Sequence, residues 1–416
     1  MDKRLFHKLF PLLILINTFL SVNQWSKLPL GNFFIELIVN VVIIFFIFWY
    51  KRNFFRPRNK SDYGIISIYF LWTLLTVVRG VFVAENYWEW KQLLTGTFTL
   101  ALPLFVYVFY SPLVLRNVLR FWIKYALPLF VLFFVWVIVA DSYHYYLAPV
   151  LLLSCFLPIL PRKWQLIFIV LLLVMMFADF GARSQVIKAT IALLMSLAYL
   201  LSKYLSSRIL KIAHWMFYIL PLVLLYLGFT GVFNIYEGLS SNKGKYIESK
   251  LVDGEHVVDD LSADTRTFIY VEVIESALKH GYTFWGRTPA RGNDSMAFGA
   301  YQAEDLKTGR YERHSNEVCF PNVFTWLGLI GLIMYCFIYL KSSYLAVYKS
   351  NNIFVKLIGV YIAFHFTFGW VEDFNRFDIT NISLWMMIAM GFSERFRRMN
   401  NWQFKIWGRS IVRTFH

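Results

Sequence analysis

The sequence predicts an all-α, polytopic transmembrane helix bundle of about 12 spans with one large extramembrane loop, and three observations predict it. The 416 residues are 58% hydrophobic and only 16% charged, with a mean hydropathy of +0.53, whereas soluble domains are nearer half apolar and a quarter charged. Apolar runs long enough to cross a bilayer recur along the whole chain, each needing roughly 20 residues. The Lys and Arg residues fall into short clusters between alternate runs, as expected when basic segments stay on the cytoplasmic side.

The runs begin near Leu5, Gly31, Gly64, Leu93, Phe121, Tyr145, Trp164, Val186, Ile209, Phe320, Ile353 and Asp378. Polar, Gly, Pro or aromatic residues bound each one, as at a headgroup boundary. The first run follows Lys3, Arg4 and Lys8 without a small-residue cleavage pattern, which predicts an uncleaved first span. Spans 1–9 occupy residues 1–234, a large loop 235–318, spans 10–12 residues 319–394, and a basic tail 395–416. Twelve spans put both termini on one side. With the termini cytoplasmic, 25 of the 41 basic residues lie inside, accompanied only by Asp2, Asp62 and Glu394 among the acids. The tail from Arg395 is basic and aromatic, suited to cytoplasmic headgroups.

The net charge of +16 is spread along the chain rather than gathered on one face, which argues against a nucleic-acid partner. Cys155 and Cys336 lie inside apolar runs and Cys319 at the mouth of one, so neither a disulfide framework nor a metal-ligand spacing is present. No phosphate-binding glycine loop or internal repeat occurs. The Asp259-Asp260 pair is the nearest approach to a metal motif and reads as a solvated turn.

The 235–318 loop carries 14 acidic and 10 basic residues and is too long to be structureless in a compact protein. Within it, residues 265–279 read as an amphipathic helix, with Asp264 as N-cap, Val271, Ile274 and Leu278 on one face, and Gly281 as terminator. Such a helix would lie across the bundle mouth.

Arginines are the candidate ligand-binding groups. The seventh run ends at Asp179-Phe-Gly-Ala-Arg183-Ser-Gln and the eighth carries Lys188. An arginine at membrane depth pairs with an acid, a backbone carbonyl or a bound anion, or snorkels to the surface. Arg183 therefore reads either as the partner of Asp179 or as an anion ligand. Arg266 opens the amphipathic helix, where an anion would also meet a helix N-terminus. Arg287, Arg291, Arg310 and Arg313 follow, and planar guanidinium groups beside a cavity suit a diphosphate; each is otherwise a solvated loop charge. His314, just ahead of the tenth run, reads as a general base or a structural histidine.

The order of these segments resembles the bacterial O-antigen ligase and O-antigen polymerase superfamily. It comprises Gly-Ala-Arg183-Ser after a mid-chain span, a long loop containing Asp264-Thr-Arg266, the His314/Asn316 pair, and Leu327-Gly328-Leu-Ile-Gly331-Leu in the next span. The resemblance by motif covers about Asp179 to Tyr335. It implies a membrane glycosyltransferase of the bacterial inner membrane, taking an undecaprenyl-diphosphate-linked oligosaccharide at the periplasmic face and passing it to a glycan or lipid acceptor, with no cofactor. Arg183, Arg266, Lys188, Arg287, Arg291 and Arg313 would then bind the diphosphate, His314 or Glu317 would activate the acceptor, and Asn316, Gly328 and Gly331 would support the motif. Ser315 separates His314 from Asn316, a departure from the family pattern that leaves Glu317 and Glu312 as alternative bases and tilts the reading from ligase to polymerase. The loop 21–32 has no acidic residue, which points to a metal-independent reaction. The alternative class is a flippase or transporter of lipid-linked saccharide; such proteins carry repeats and midplane charges, whereas this chain concentrates its polar residues in one loop.

Overall fold

The computed structural model describes residues 2–178, 183–201, 206–230, 247–252, 255–260, 267–296 and 298–413. The described residues are mostly helical. Among the described residues, seven helical stretches are long and apolar enough to cross a membrane. They are Lys3–Trp25, Phe33–Phe54, Lys60–Val81, Tyr87–Phe109, Pro112–Val137, Ser207–Leu227 and Cys319–Tyr348. Shorter apolar helices cover Ser184–Leu200, Ile353–Phe368 and Ile379–Phe392.

The principal helices are α1 (Lys3–Leu20), α2 (Phe33–Phe54), α3 (Gly64–Val81), α4 (Tyr87–Leu100), α5 (Pro112–Leu129), α6 (Arg162–Phe177), α7 (Arg183–Leu200) and α8 (Ser207–Phe229). They continue with α9 (Thr267–Lys279), α10 (Cys319–Tyr348), α11 (Ile353–Phe368), α12 (Ile379–Phe392) and α13 (Asn401–Val412). The sixth apolar run is not one helix: it breaks into Tyr143–Leu147 and Pro149–Ser154, because Pro149 has no amide proton to continue the first. The fifth begins at Pro112 rather than near Phe121, with Pro at the first turn where its missing N–H costs nothing. Arg116 and Arg120 therefore lie inside α5, and Arg120 hydrogen-bonds the Ser410 carbonyl on α13.

Helices α11 and α12 form the centre. Nearly every residue of α12 is buried, and α10 packs against both α11 and α12. Small residues allow that approach: a side chain at Gly359 would strike Ala346 and Val347, and one at Gly391 would strike Ser342, as in closely packed membrane helices. The flanking helices expose apolar side chains outward, such as Ile38 and Phe45 on α2, Leu71 and Val78 on α3, and Ile212 and Leu222 on α8. That is the distribution of a surface solvated by lipid.

Helix α10 is interrupted. Gly328 sits at φ 68°, ψ −175°, so the backbone groups around it lose their helical partners. The segment 283–288 supplies new ones. Arg287 N donates to the Thr325 carbonyl (2.7 Å), Thr288 N to that of Trp326 (3.2 Å), and Leu329 N donates to that of Thr283 (2.8 Å). Trp72 Nε1 on α3 donates to the Leu327 carbonyl at 3.0 Å. Irregular backbone survives in such a protein only when its polar groups are satisfied in this way.

Helix α9 ends at Lys279 with Gly281 at φ 66°, as its sequence predicts. Its buried face differs from the predicted one. Ile269, Val273 and Ala277 are buried, and Ile269 and Val273 cluster with Val318. Val271 and Leu278 are exposed. Both stripes are apolar, so periodicity alone selects neither. Asp259 and Asp260, read as a turn, lie in a strand: Glu255–Asp260 pairs antiparallel with Ile247–Val252.

Candidate functional site

A polar cavity of about 760 Å³ opens at one end of the bundle. Its wall comes from segments distant in sequence. The end of α1 contributes Asn17 and Ser21, the start of α2 Glu36 and Asn40, and α4 Gln92, Thr95 and Thr99. His144 and Tyr145 join from the broken helix, and Ser184, Gln185 and Lys188 from the first turn of α7. The segment 313–317 adds Arg313, Ser315, Asn316 and Glu317, the 369–378 connection adds Glu372, Asp373, Asn375, Arg376 and Asp378, and the first turn of α12 adds Asn381.

Two of the expected segments therefore converge. The first turn of α7, which begins at Arg183, and the 313–317 segment face one cavity. Arg266 and Asp264 lie outside the described residues, as does the side chain of Arg183. Lys188 is buried and paired with Glu372 at 2.9 Å, with the Phe368 and Phe374 rings 5.7 and 5.3 Å away. Glu372 also lies 3.5 Å from the Gln185 amide. Arg313 pairs with Glu317 at 3.2 Å and lies over the Phe298 ring at 4.2 Å. The backbone N of Asn316 donates to Asn322 Oδ1 (2.6 Å), and its own amide to Asn293 Oδ1 (2.8 Å).

Other expected ligands sit elsewhere. Arg287 and Arg291 do not line the cavity. Arg287 bridges Asp294 (3.1 Å) and Glu312 (2.9 Å), and Arg291 holds Glu312 through two bonds. Burial alone would raise both carboxyls. The cations reverse it: Lys279, His280 and Arg287 hold Asp294 down to about 2, and Arg291 and Arg287 keep Glu312 below its usual value. Guanidinium groups so committed are scaffold, which corrects the diphosphate assignment for these two. Glu312, similarly occupied, is not a free base. Arg310 is committed to Glu85 and Glu89.

His314 turns away from the cavity wall. Its ring is buried, and Nε2 has no hydrogen-bond partner among the described residues. Burial pushes its pKa down, opposed by the charges of Glu312 and Glu89, so the ring is neutral at physiological pH. Its carbonyl accepts from Trp326 Nε1 at 3.2 Å, which fixes the backbone that presents Ser315 and Asn316. Glu317, by contrast, lines the cavity.

Gly328 and Gly331 do not line the cavity. Gly328 breaks α10, and a side chain there would meet the Phe284 carbonyl and the Gly286 amide. At Gly331 it would meet Leu327.

The sequence reading missed the 369–378 connection. It holds four charged residues, Glu372, Asp373, Arg376 and Asp378, between two apolar helices, and that density was the available signal. Arg376 lies 5.2 Å from the Trp25 ring and 5.8 Å from Tyr145, two rings stacked at 4.0 Å. Among the described residues it has no ion pair, unlike Lys188 and Arg313. Asp378 caps α12, accepting from Asn381 N at 2.9 Å. Burial pushes the carboxyls of Asp373 and Asp378 up to about 6 each, against the pull of Arg376.

The wall also holds asparagines. Asn17, Asn40, Asn316 and Asn381 are all buried, and the carboxamide oxygen of each lacks a partner among the described residues. Three have their amide nitrogens committed to the protein: Asn17 to the Phe377 carbonyl (3.1 Å), Asn316 to Asn293 (2.8 Å) and Asn381 to the Arg376 carbonyl (2.9 Å). What remains is acceptor capacity, which a ligand with several hydroxyl donors satisfies. No group of three or more metal-ligating side chains occurs among the described residues.

Comparison with protein families, with curated proteins and with solved structures yields no match for this chain.

Proposed function

We propose that the chain is a multi-pass glycosyltransferase of the bacterial inner membrane. It takes glycan from undecaprenyl diphosphate at the periplasmic face and, as a polysaccharide polymerase in preference to an O-antigen ligase, adds it to a glycan acceptor. In this reading twelve spans cross the bilayer, both termini are cytoplasmic, and the cavity opens to the periplasm beside the 235–318 loop. The basic clusters between alternate runs support that orientation.

The observation that carries the proposal is the convergence of the α7 first turn, the 313–317 segment and the 369–378 connection on one cavity. Displacing a lipid diphosphate from an anomeric carbon builds negative charge on the leaving group, and fixed cations in a low-dielectric site stabilise it without reorganising. Arg376 and Arg313 line that site, and Arg183 opens the helix beside it. The asparagine oxygens suit sugar hydroxyls. A cavity of about 760 Å³ is within the usual range for a ligand site.

The test is reconstitution. Purified protein in lipid nanodiscs is given undecaprenyl-diphosphate oligosaccharide, with and without a chelator, and the products are sized. Lengthened lipid-linked glycan supports the polymerase. Glycan passed only to a lipid acceptor supports the ligase. Movement of intact donor between leaflets without a new glycosidic bond supports the flippase and overturns the proposal.

A further inference from the structure

We propose that Asp373 is the general base of the transfer reaction, a role that rests on the glycosyl-transfer reading above. The acceptor hydroxyl oxygen bonds to the donor's anomeric carbon, and the bond from that carbon to the diphosphate oxygen breaks. The electron pair departs on the lipid diphosphate. The hydroxyl proton passes to Asp373 and from there to water.

Five carboxylates line the cavity, and four are otherwise engaged or placed at the rim. Glu317 is held by Arg313 and Glu372 by Lys188. Asp378 spends one oxygen on the α12 cap and on the Asn381 amide. Glu36 is exposed, in the first turn of α2. Asp373 is partly buried and makes no ion pair among the described residues. One of its oxygens accepts from Asn375 N at 2.7 Å, which leaves the other to act.

The turn bearing it is fixed to α10. Cys319 N donates to the Glu372 carbonyl at 3.0 Å, and the Asn375 amide donates to the Cys319 carbonyl at 2.9 Å. A base so fixed holds its geometry while the substrate changes. Arg376, three residues on in the same connection, lines the same cavity. A carboxyl with its pKa near 6 remains ionised at neutral pH and is more basic than an ordinary one, as general-base catalysis requires. The other titratable groups of the cavity wall are Glu36, His144, Tyr145, Lys188, Arg313, Glu317, Glu372, Arg376 and Asp378.

The experiment compares wild type, Asp373→Asn and Asp373→Glu in nanodiscs. It measures rate at saturating donor, donor Kd and the pH–rate profile. The expected result for Asp373→Asn is a rate loss of about 10²–10⁴-fold, donor affinity unchanged within about threefold, and disappearance of the acid limb near pH 6 from the residual rate. Asp373→Glu keeps the limb and part of the rate. An Asp373→Asn enzyme that retains its rate, retains the limb, or loses donor binding along with the rate overturns the assignment. Wild type that forms no glycosidic bond brings down the glycosyl-transfer reading itself, whereas an active wild type with an equally active Asp373→Asn removes only this role.

Discussion

Gly286 and Gly328 meet backbone to backbone, each at positive φ, 71° and 68°. A Cβ on either would overlap the main chain around the other. This contact lashes the loop preceding α10 to the break in that helix. Arg79 adds to it by donating to the Trp285 carbonyl at 2.9 Å and to that of Gly286 at 3.2 Å.

Gly328→Ala should therefore destabilise the protein by about 2 kcal/mol or more, from strain of ~1–3 kcal/mol in a backbone region open essentially to glycine alone, plus the clash. Thermal melting in detergent, followed by size-exclusion chromatography, reads the loss. A melting temperature within a degree or two of wild type would show that the break is not needed.

Arg376→Ala should cut the transfer rate by about 10²-fold, the effect of removing one fixed donor to developing charge, with melting temperature little changed. Arg376→Lys should recover only part of that rate, since a point charge replaces a planar fork. Equal rates for all three proteins in a radiolabelled-donor assay would remove Arg376 from the site.

Arg287→Ala should act on stability and not on donor affinity. It strips one cation from partly buried Asp294 and buried Glu312, which keep Lys279, His280 and Arg291, so the loss is that of hydrogen bonds to charged groups, about 1.5–3 kcal/mol. The pH dependence has a definite sign. Asp294 titrates lower folded than unfolded, so its contribution is present above the ordinary carboxylate range and disappears as pH falls through that range toward about 2. Asp294→Asn should flatten that acid-side decline in an unfolding series. An unchanged decline would assign it to other carboxylates.

His314→Gln should lower the yield of folded enzyme while leaving the shape of the pH–rate profile intact, because the ring is buried away from the cavity. Loss of the acid limb in this variant, with Asp373 present, would restore His314 as the base.

The helical class and the membrane character were legible because they rest on composition and run length, which are local. The cavity was legible in half. The first turn of α7 and the 313–317 segment announced themselves by polar residues beside apolar runs. Arg287 and Arg291 did not reveal that Glu312 and Asp294 occupy them, since sequence shows a charge but not its partner. The partners of Lys188 and Arg313, Glu372 and Glu317, are similarly decided in three dimensions. Asp373 and Arg376 were overlooked because the ten-residue connection between two spans is short, and its four charges carry no spacing that names a site. Helix α9 was legible as a helix, but two apolar stripes, Ile269/Val273/Ala277 and Val271/Ile274/Leu278, satisfy the same period, and only the presence of Val318 chooses which is buried.

The side chain and amides that donate to the exposed carbonyls of α10, on Trp72, Arg287 and Thr288, all precede Gly328 in the chain. During synthesis each has left the ribosome before the interrupted helix is complete. A break that would be costly in a lone segment is thus completed only after the residues that satisfy it have been synthesised, and a rearranged gene that placed residues 283–288 after α10 would lose that ordering.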